Sequence, residues 1–88
     1  MRTFVVYKEQ SDHARAVSDY LRDFQRQTGK QLETVDPETR DGAATCMSYD
    51  IVEYPTLVAV DANGVMQNMW RGLPLPTISE VSYYVRED

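Results

Sequence analysis

The chain has 88 residues, of which 42% are hydrophobic and 26% charged, and its 14 acids and 9 bases leave a net charge of -5. This length suits a single domain over residues 1–88 with one modest core, which buries roughly 60 to 65% of the surface that the unfolded chain exposes. The bases are scattered and form no cluster that could neutralise phosphates, which argues against nucleic acid and anionic membranes as partners.

Cys46 is the only cysteine and His13 the only histidine. No internal disulfide can form, and these two side chains are too few for a zinc site with the usual nitrogen and sulfur ligands. We therefore predict no metal site and no cofactor. A lone thiol fits a reducing compartment, and the first apolar run ends at Lys8, too short for a signal peptide or a membrane span. We expect a cytoplasmic location.

The first part of the chain predicts strand, helix and strand. Residues 3–7 form a run of β-branched and aromatic residues without polar alternation, which is typical of a central strand covered on both faces. From residue 13 apolar side chains recur every three or four positions as far as Thr28-Gly29, which predicts a helix closed by a left-handed glycine. Residues 30–35 alternate like a second strand, and the two strands should be parallel.

A second helix is predicted to follow directly. Asp36-Pro37-Glu38 has the composition of a helix start, and the helix should run to about Tyr49. Gly42 weakens the middle of this segment, so a loose turn followed by a firm helix from Asp41 is the alternative.

The rest of the chain predicts a hairpin and a last helix. Residues 56–61 and 65–71 are strand-like and flank the turn signal Asn63-Gly64, so they should pair antiparallel, with the second strand at the sheet edge. Thr77 and Glu80 have the spacing of a capping box. The helix that they open should turn three apolar side chains inward: Ile78, Val81 and Val85.

The resulting order, βαβαββα, predicts an α/β fold with a four-stranded mixed sheet and helices on both faces. Together with the sequence from Tyr49 to Gly64, YDIVEYPTLVAVDANG, and with Gly72 after the hairpin, this order resembles the thioredoxin and glutaredoxin superfamily. The most specific part of the resemblance is the Tyr-x-Ile-x-x-Tyr-Pro-Thr block at residues 49–56. The resemblance covers almost the whole chain and implies a thioredoxin-like fold.

In that superfamily a Cys-x-x-Cys motif opens the helix after the first strand, where free amides and the helix dipole lower the pKa of a thiol. Ser11-Asp12-His13-Ala14 occupies this position here, and Val5 stands where thioredoxins often keep a buried acid. The resemblance therefore implies a redox-inactive protein, not a dithiol-disulfide oxidoreductase. Ser11 is expected to be the N-cap of the helix.

Other chemistry at this position is disfavoured. Ser11, Asp12 and His13 have the composition of a hydrolase triad, but neighbouring residues at a helix start diverge by about 100° and cannot relay a proton in line. Ser11 also matches a serine that binds glutathione in some transferases sharing this domain. Their helical second domain and their acidic-serine pair are missing here, and whether glutathione binds stays open.

Cys46 offers a separate alternative, a monothiol redox or sensor protein. The thiol lies late in the second predicted helix, and its neighbours Thr45, Met47 and Ser48 are neutral. The nearby helix end is the negative one, which disfavours a thiolate. This setting favours a small buried hydrophobic residue over a reactive thiol.

The resemblance also implies a cis Tyr54-Pro55 bond beside the position of the missing dithiol. The backbone before such a proline can hold an extended chain through strand-like contacts, which need no cysteine. We therefore expect a partner protein or peptide to bind at this groove. The residues that match the superfamily's substrate patch or the emptied redox position are Tyr7, Ser11, Asp12, His13, Asp50, Tyr54, Pro55, Thr56 and Gly72.

Two further surfaces carry weaker signals. Trp70, Tyr83 and Tyr84 fit either an interaction surface or the core and its rim, and burial is the favoured interpretation. The edge strand from Val65 offers unpaired backbone groups through which a homodimer could form. A structural subunit of a larger assembly, with a vestigial groove, is the remaining alternative.

Overall fold

The computed structural model describes residues 2–85, and its elements follow the predicted order βαβαββα. The seven elements are β1 (Arg2–Val6), α1 (Ala14–Thr28), β2 (Glu33–Val35), α2 (Arg40–Tyr49), β3 (Thr56–Val60), β4 (Met66–Arg71) and α3 (Ile78–Ser82). None of the helices within residues 2–85 has both the length and the apolar character that crossing a membrane requires.

The strands form one mixed four-stranded sheet in the order β2-β1-β3-β4, which confirms the predicted sheet and places β4 at an edge. β1 pairs with β2 in parallel and with β3 antiparallel, and β3 pairs antiparallel with β4. The register aligns Val35, Val6, Thr56 and Arg71 in one row across the sheet. The segments that follow β1, β2 and β4, and the segment that precedes β3, therefore meet at the same end of the sheet.

The sheet separates two hydrophobic clusters, because successive side chains of a strand point to opposite faces. Helix α2 covers one face, with a cluster of Phe4, Val6, Val35, Cys46, Ile51, Val58 and Val60. Helices α1 and α3 cover the other, with a cluster of Val5, Val17, Phe24, Leu32, Leu57 and Val81. Helices on both faces are therefore confirmed, and Val5 is a core residue that is only 1% exposed.

Helix α2 begins at Arg40, so the predicted start at Asp36-Pro37-Glu38 is wrong and the alternative start near Asp41 is the better one. Thr39 is the N-cap, and its hydroxyl accepts the N–H of Gly42 at 3.0 Å. The Asp36 carboxylate instead accepts the N–H of Glu38 at 2.9 Å within a preceding turn. Asp36 therefore stabilises the turn before the helix, and Thr39 stabilises the helix itself.

Other predicted ends shift as well. β1 begins at Arg2 and ends at Val6, one residue earlier at each end than predicted. β2 is limited to Glu33–Val35, because the left-handed Gly29 turns the chain and residues 30–32 lead back to the sheet. α3 ends at Ser82, so Val85 lies beyond the helix, although it still packs against the cluster under α1 and α3.

Candidate functional site

Several residues of the predicted groove lie at the end of the sheet where β1 finishes and β3 begins. Tyr7 follows β1, Pro55 precedes β3 and Gly72 follows β4, and the strand residues next to them pair in register. The Gly72 N–H donates to the Pro55 carbonyl at 2.8 Å, which ties the two loops together. The Tyr54-Pro55 peptide bond is cis, and Leu73-Pro74 is a second cis bond that the sequence analysis did not predict.

Residues 11–13 form a turn that is held by the main chain of Lys8. The Ser11 hydroxyl donates to the Lys8 carbonyl, and the Lys8 N–H donates to Nε2 of His13 at 3.1 Å. The His13 ring also lies edge-on to Tyr7, with 6.4 Å between the ring centroids. The polar side chains of Ser11 and His13 are thus already engaged within the protein.

Ser11 is not the N-cap of α1, contrary to the sequence prediction. His13 occupies the N-cap position and makes no side-chain capping bond. The reason is an additional turn before the helix, in which the Ala14 N–H donates to the Ser11 carbonyl at 3.3 Å. The Ser11 side chain therefore points back to Lys8 and leaves the first amides of the helix uncapped by a hydroxyl.

Lys8 also links this turn to Tyr54. Its Nζ lies 5.3 Å from the centroid of the Tyr54 ring, within the range of a cation-π contact. Burial raises the pKa of the Tyr54 phenol, and the adjacent Cys46 thiol and the Glu38 carboxylate raise it further. Tyr54 is therefore neutral at physiological pH, with a phenol that can donate or accept a hydrogen bond.

The nine predicted groove residues differ in accessibility. Pro55, Thr56 and Gly72 are buried, and the Thr56 hydroxyl donates to the Glu53 carbonyl. These three residues are covered by other parts of the protein. The solvent-accessible residues of this set are the exposed Asp12 and Asp50 and the half-buried Tyr7, Ser11, His13 and Tyr54.

A cavity of about 460 Å³ opens on the α2 side of Tyr54. Its wall is mainly apolar and is formed by α2 and the loop after it. Asp50 ends α2 in a left-handed conformation with φ 58, and its N–H donates to the Cys46 carbonyl. Asp50 and Tyr54 also line the cavity, and its apolar lining residues are Pro37, Ala43, Cys46, Met47, Ile51 and Val52.

Cys46 is only 7% exposed and belongs to the core cluster under α2, as expected of a small buried hydrophobic residue. Cys46 is far along the chain from residues 11–14, and the fold brings it beside Tyr54. The Cys46 thiol lies near enough to the Tyr54 phenol to contribute to its raised pKa. Both residues line the cavity, and Tyr54 is also one of the predicted groove residues.

Sequence reasoning missed the two most exposed apolar residues at this site. Met47 is 84% exposed and Val52 is 82% exposed, and both line the cavity. The exposure of Met47 could have been predicted from the helix period. The buried side of α2 carries Gly42 and Cys46 at a spacing of one turn, and Met47 falls outside that stripe. The role of Lys8 had no comparable signal, because its contacts run through backbone groups and a distant ring.

This architecture is that of a thioredoxin-like α/β protein. The structure is similar to "thioredoxin 1 from the thermophilic eubacterium Thermosipho africanus TCF52B", with a TM-score of 0.66, coverage of 97% of this chain and 90% of that chain, and 13% sequence identity. At this identity the likeness establishes the fold alone, and it confirms the predicted thioredoxin-like fold. No protein-family model matches the sequence, and no curated protein matches it.

Proposed function

We propose that this protein is a thioredoxin-like binding module without dithiol redox activity, which holds a peptide segment of a partner protein between residues 11–14 and Tyr54-Pro55. The observation that carries the proposal is the turn at Ser11 and His13, whose side chains bond to the main chain of Lys8. An alcohol forms no disulfide, and a ring nitrogen that accepts a main-chain N–H is unavailable as a base.

The groups that remain accessible around this turn suit recognition. Burial, together with Glu9 and Asp36, raises the pKa of the Tyr7 phenol. Tyr7 and Tyr54 therefore offer two neutral phenols, and each can donate to or accept from peptide main-chain groups. Tyrosine combines a large apolar area with such a polar end, which is why it is common at the centres of binding sites.

The redox part of the proposal is tested by reduction of insulin with dithiothreitol. We expect the protein to give no acceleration over the uncatalysed reaction, because its one thiol is buried and has no second cysteine to resolve a mixed disulfide. The Cys46→Ser variant should behave identically. Turnover above background that disappears in Cys46→Ser would instead establish the monothiol alternative.

The binding part is tested with a partner identified by affinity capture and mass spectrometry. Tyr54→Ala and Asp12→Arg should each weaken binding of the purified partner by about tenfold or more, because Tyr54 precedes Pro55 and Asp12 is exposed within residues 11–14. Val65→Ser on the opposite end of the hairpin is the matched control and should bind like the wild type. Circular dichroism establishes that each variant is folded.

If the Val65 variant loses the partner while the Tyr54 and Asp12 variants keep it, the groove is not the functional surface. That result would favour the structural-subunit alternative, with contact through the β4 edge.

A further inference from the structure

The net charge of the chain is concentrated in one segment. Residues 33–53 contain six acids and a single base, Arg40. The net charge of this segment, -5, equals the net charge of all 88 residues. Glu33 is paired with Arg2 at 2.6 Å. The other acids of the segment are Asp36, Glu38, Asp41, Asp50 and Glu53.

One of these carboxylates lines the cavity beside Tyr54, and two others lie near Tyr54 itself. Asp50 lines the cavity itself. Glu38 lies close enough to Tyr54 to raise the pKa of its phenol. Glu53 precedes Tyr54, and its Oε2 lies 2.6 Å from the position that a Cβ on Gly72 would take. Asp50 therefore places negative charge in the cavity wall, and Glu38 and Glu53 place it near Tyr54, where Lys8 contributes a cation.

The cavity itself offers an apolar contact. Met47 is 84% exposed and Val52 is 82% exposed, and both line the cavity. Exposed apolar side chains that are grouped and rimmed by charged residues mark interaction sites. The volume of about 460 Å³ is within the range of pockets that hold a ligand group, about 300 to 1,000 Å³.

We propose that this acidic apolar surface, formed by Met47, Val52 and Tyr54 with the carboxylates of Glu38, Asp50 and Glu53, binds a peptide segment in which a large apolar side chain is flanked by lysine or arginine. The apolar side chain enters the cavity between Met47 and Val52. The flanking cations meet the carboxylates. This inference rests on the proposed function and names the class of its partner.

Charge complementarity selects this occupant over a second copy of the chain. A symmetric dimer through this surface would bring like carboxylates together, which costs free energy at an interface. The same carboxylates attract a cationic segment, which raises its association rate and orients it at the surface. An anionic ligand would be repelled.

The experiment is a selection from a random peptide library displayed on phage, with the full chain as the immobilised target. We expect the enriched sequences to share a large aliphatic or aromatic residue with lysine or arginine within a few positions. Synthetic peptides of the enriched sequences are then titrated by fluorescence anisotropy. Their affinity should fall as sodium chloride is raised from about 50 mM to about 500 mM, because salt screens exposed charges.

Matched variants assign the contact. Met47→Ser with Val52→Ser should weaken binding by about tenfold or more, and Glu38→Gln with Asp50→Asn should weaken it and reduce its salt dependence. Asparagine tolerates the left-handed backbone at position 50. Val65→Ser with Met66→Ser, and Asp19→Asn on α1, are the apolar and acidic controls and should bind like the wild type.

Three results would overturn the inference. These are no enrichment, enriched peptides without the basic apolar pattern, or binding that the paired Met47 and Val52 changes leave intact. If the enriched peptides depend on Tyr54 and Asp12 alone, the proposed function stands and only this inference fails. A dimer in sedimentation that the Met47 and Val52 changes dissociate would assign the surface to a second copy.

Discussion

Gly42 accounts for the position at which α2 begins. It is buried in the first turn of the helix, and a Cβ at this residue would lie 1.7 Å from the Asp36 carbonyl oxygen. The turn of residues 36–39 therefore packs directly on the helix backbone. The sequence analysis treated Gly42 as a weak point of the helix, whereas the structure needs a residue without a side chain there.

We expect Gly42→Ala to lower the free energy of unfolding by about 2 kcal/mol. Alanine favours a helix by about 1 kcal/mol, but displacing the Asp36 backbone costs about 3 kcal/mol, so the clash prevails. Urea unfolding monitored by circular dichroism measures the difference.

Gly29→Ala is the control, because its Cβ would have no neighbour within 4 Å and only the positive φ of 75 opposes it. That change should cost about 1 kcal/mol. A Gly42→Ala variant as stable as the wild type would show that the turn can move away from the helix.

The Arg2 and Glu33 pair joins β1 to the edge strand β2. Arg2 Nε donates to Glu33 Oε1 at 2.8 Å, and Arg2 Nη2 donates to Glu33 Oε2 at 2.6 Å. These hydrogen bonds hold the pKa of Glu33 below its ordinary value of 4.5, against the opposing effect of burial. Both side chains are nearly half exposed, at 45% and 48%. Screening by solvent therefore reduces the contribution of this ion pair to the free energy of unfolding.

We expect Glu33→Gln to lower the free energy of unfolding by about 0.5 kcal/mol at pH 7. Since the pKa of Glu33 is lower in the folded protein, its contribution is present above pH 4.5 and is lost as the pH falls through the folded value. The difference from the wild type should therefore vanish in acid, and it should shrink in high salt.

The measurement is urea unfolding from pH 7 to pH 2, extended to Arg2→Gln and to the double variant. The double-variant cycle isolates the pair from the separate contact of Arg2 with the Phe4 ring. A Glu33→Gln effect that persists unchanged at pH 2 would contradict this assignment.

The helices and strands could be predicted where the residues that define them lie close together in the sequence. The Thr77 and Glu80 capping box is formed, because its partners are three residues apart and act within one turn. The starts of α1 and α2 were misplaced, because Ser11 bonds backward to Lys8 and Gly42 packs on Asp36. Those contacts belong to turns that precede the helices, and helix periodicity carries no information about them.

The sheet divides the molecule into two layers of core. Val17 on α1 and Val35 on β2 belong to different clusters, and both are buried, at 0% and 9% exposure. No buried residue belongs to both clusters. Changes in the two clusters should therefore act independently on stability.

We expect Val17→Ala and Val35→Ala each to lower the free energy of unfolding, by about 2 kcal/mol for the fully buried Val17 and by less for Val35. The double variant should lose the sum within about 0.5 kcal/mol, because the sheet separates the two sites. Urea unfolding of the single and double variants is the measurement. A deviation above about 1 kcal/mol would show that the layers are coupled through the sheet.

Local patterns in the sequence were sufficient for the order of elements, the mixed sheet and the absence of a dithiol, because periodicity, turn residues and residue chemistry act within a few positions. Tertiary structure alone decided that Cys46, Met47 and Val52 share a cavity with Tyr54, and that Lys8 reaches the Tyr54 ring. These residues meet because β3 lies between β1 and β4 and because Asp50 turns the chain in a left-handed conformation. Such contacts depend on long-range strand pairing, which no local spacing encodes.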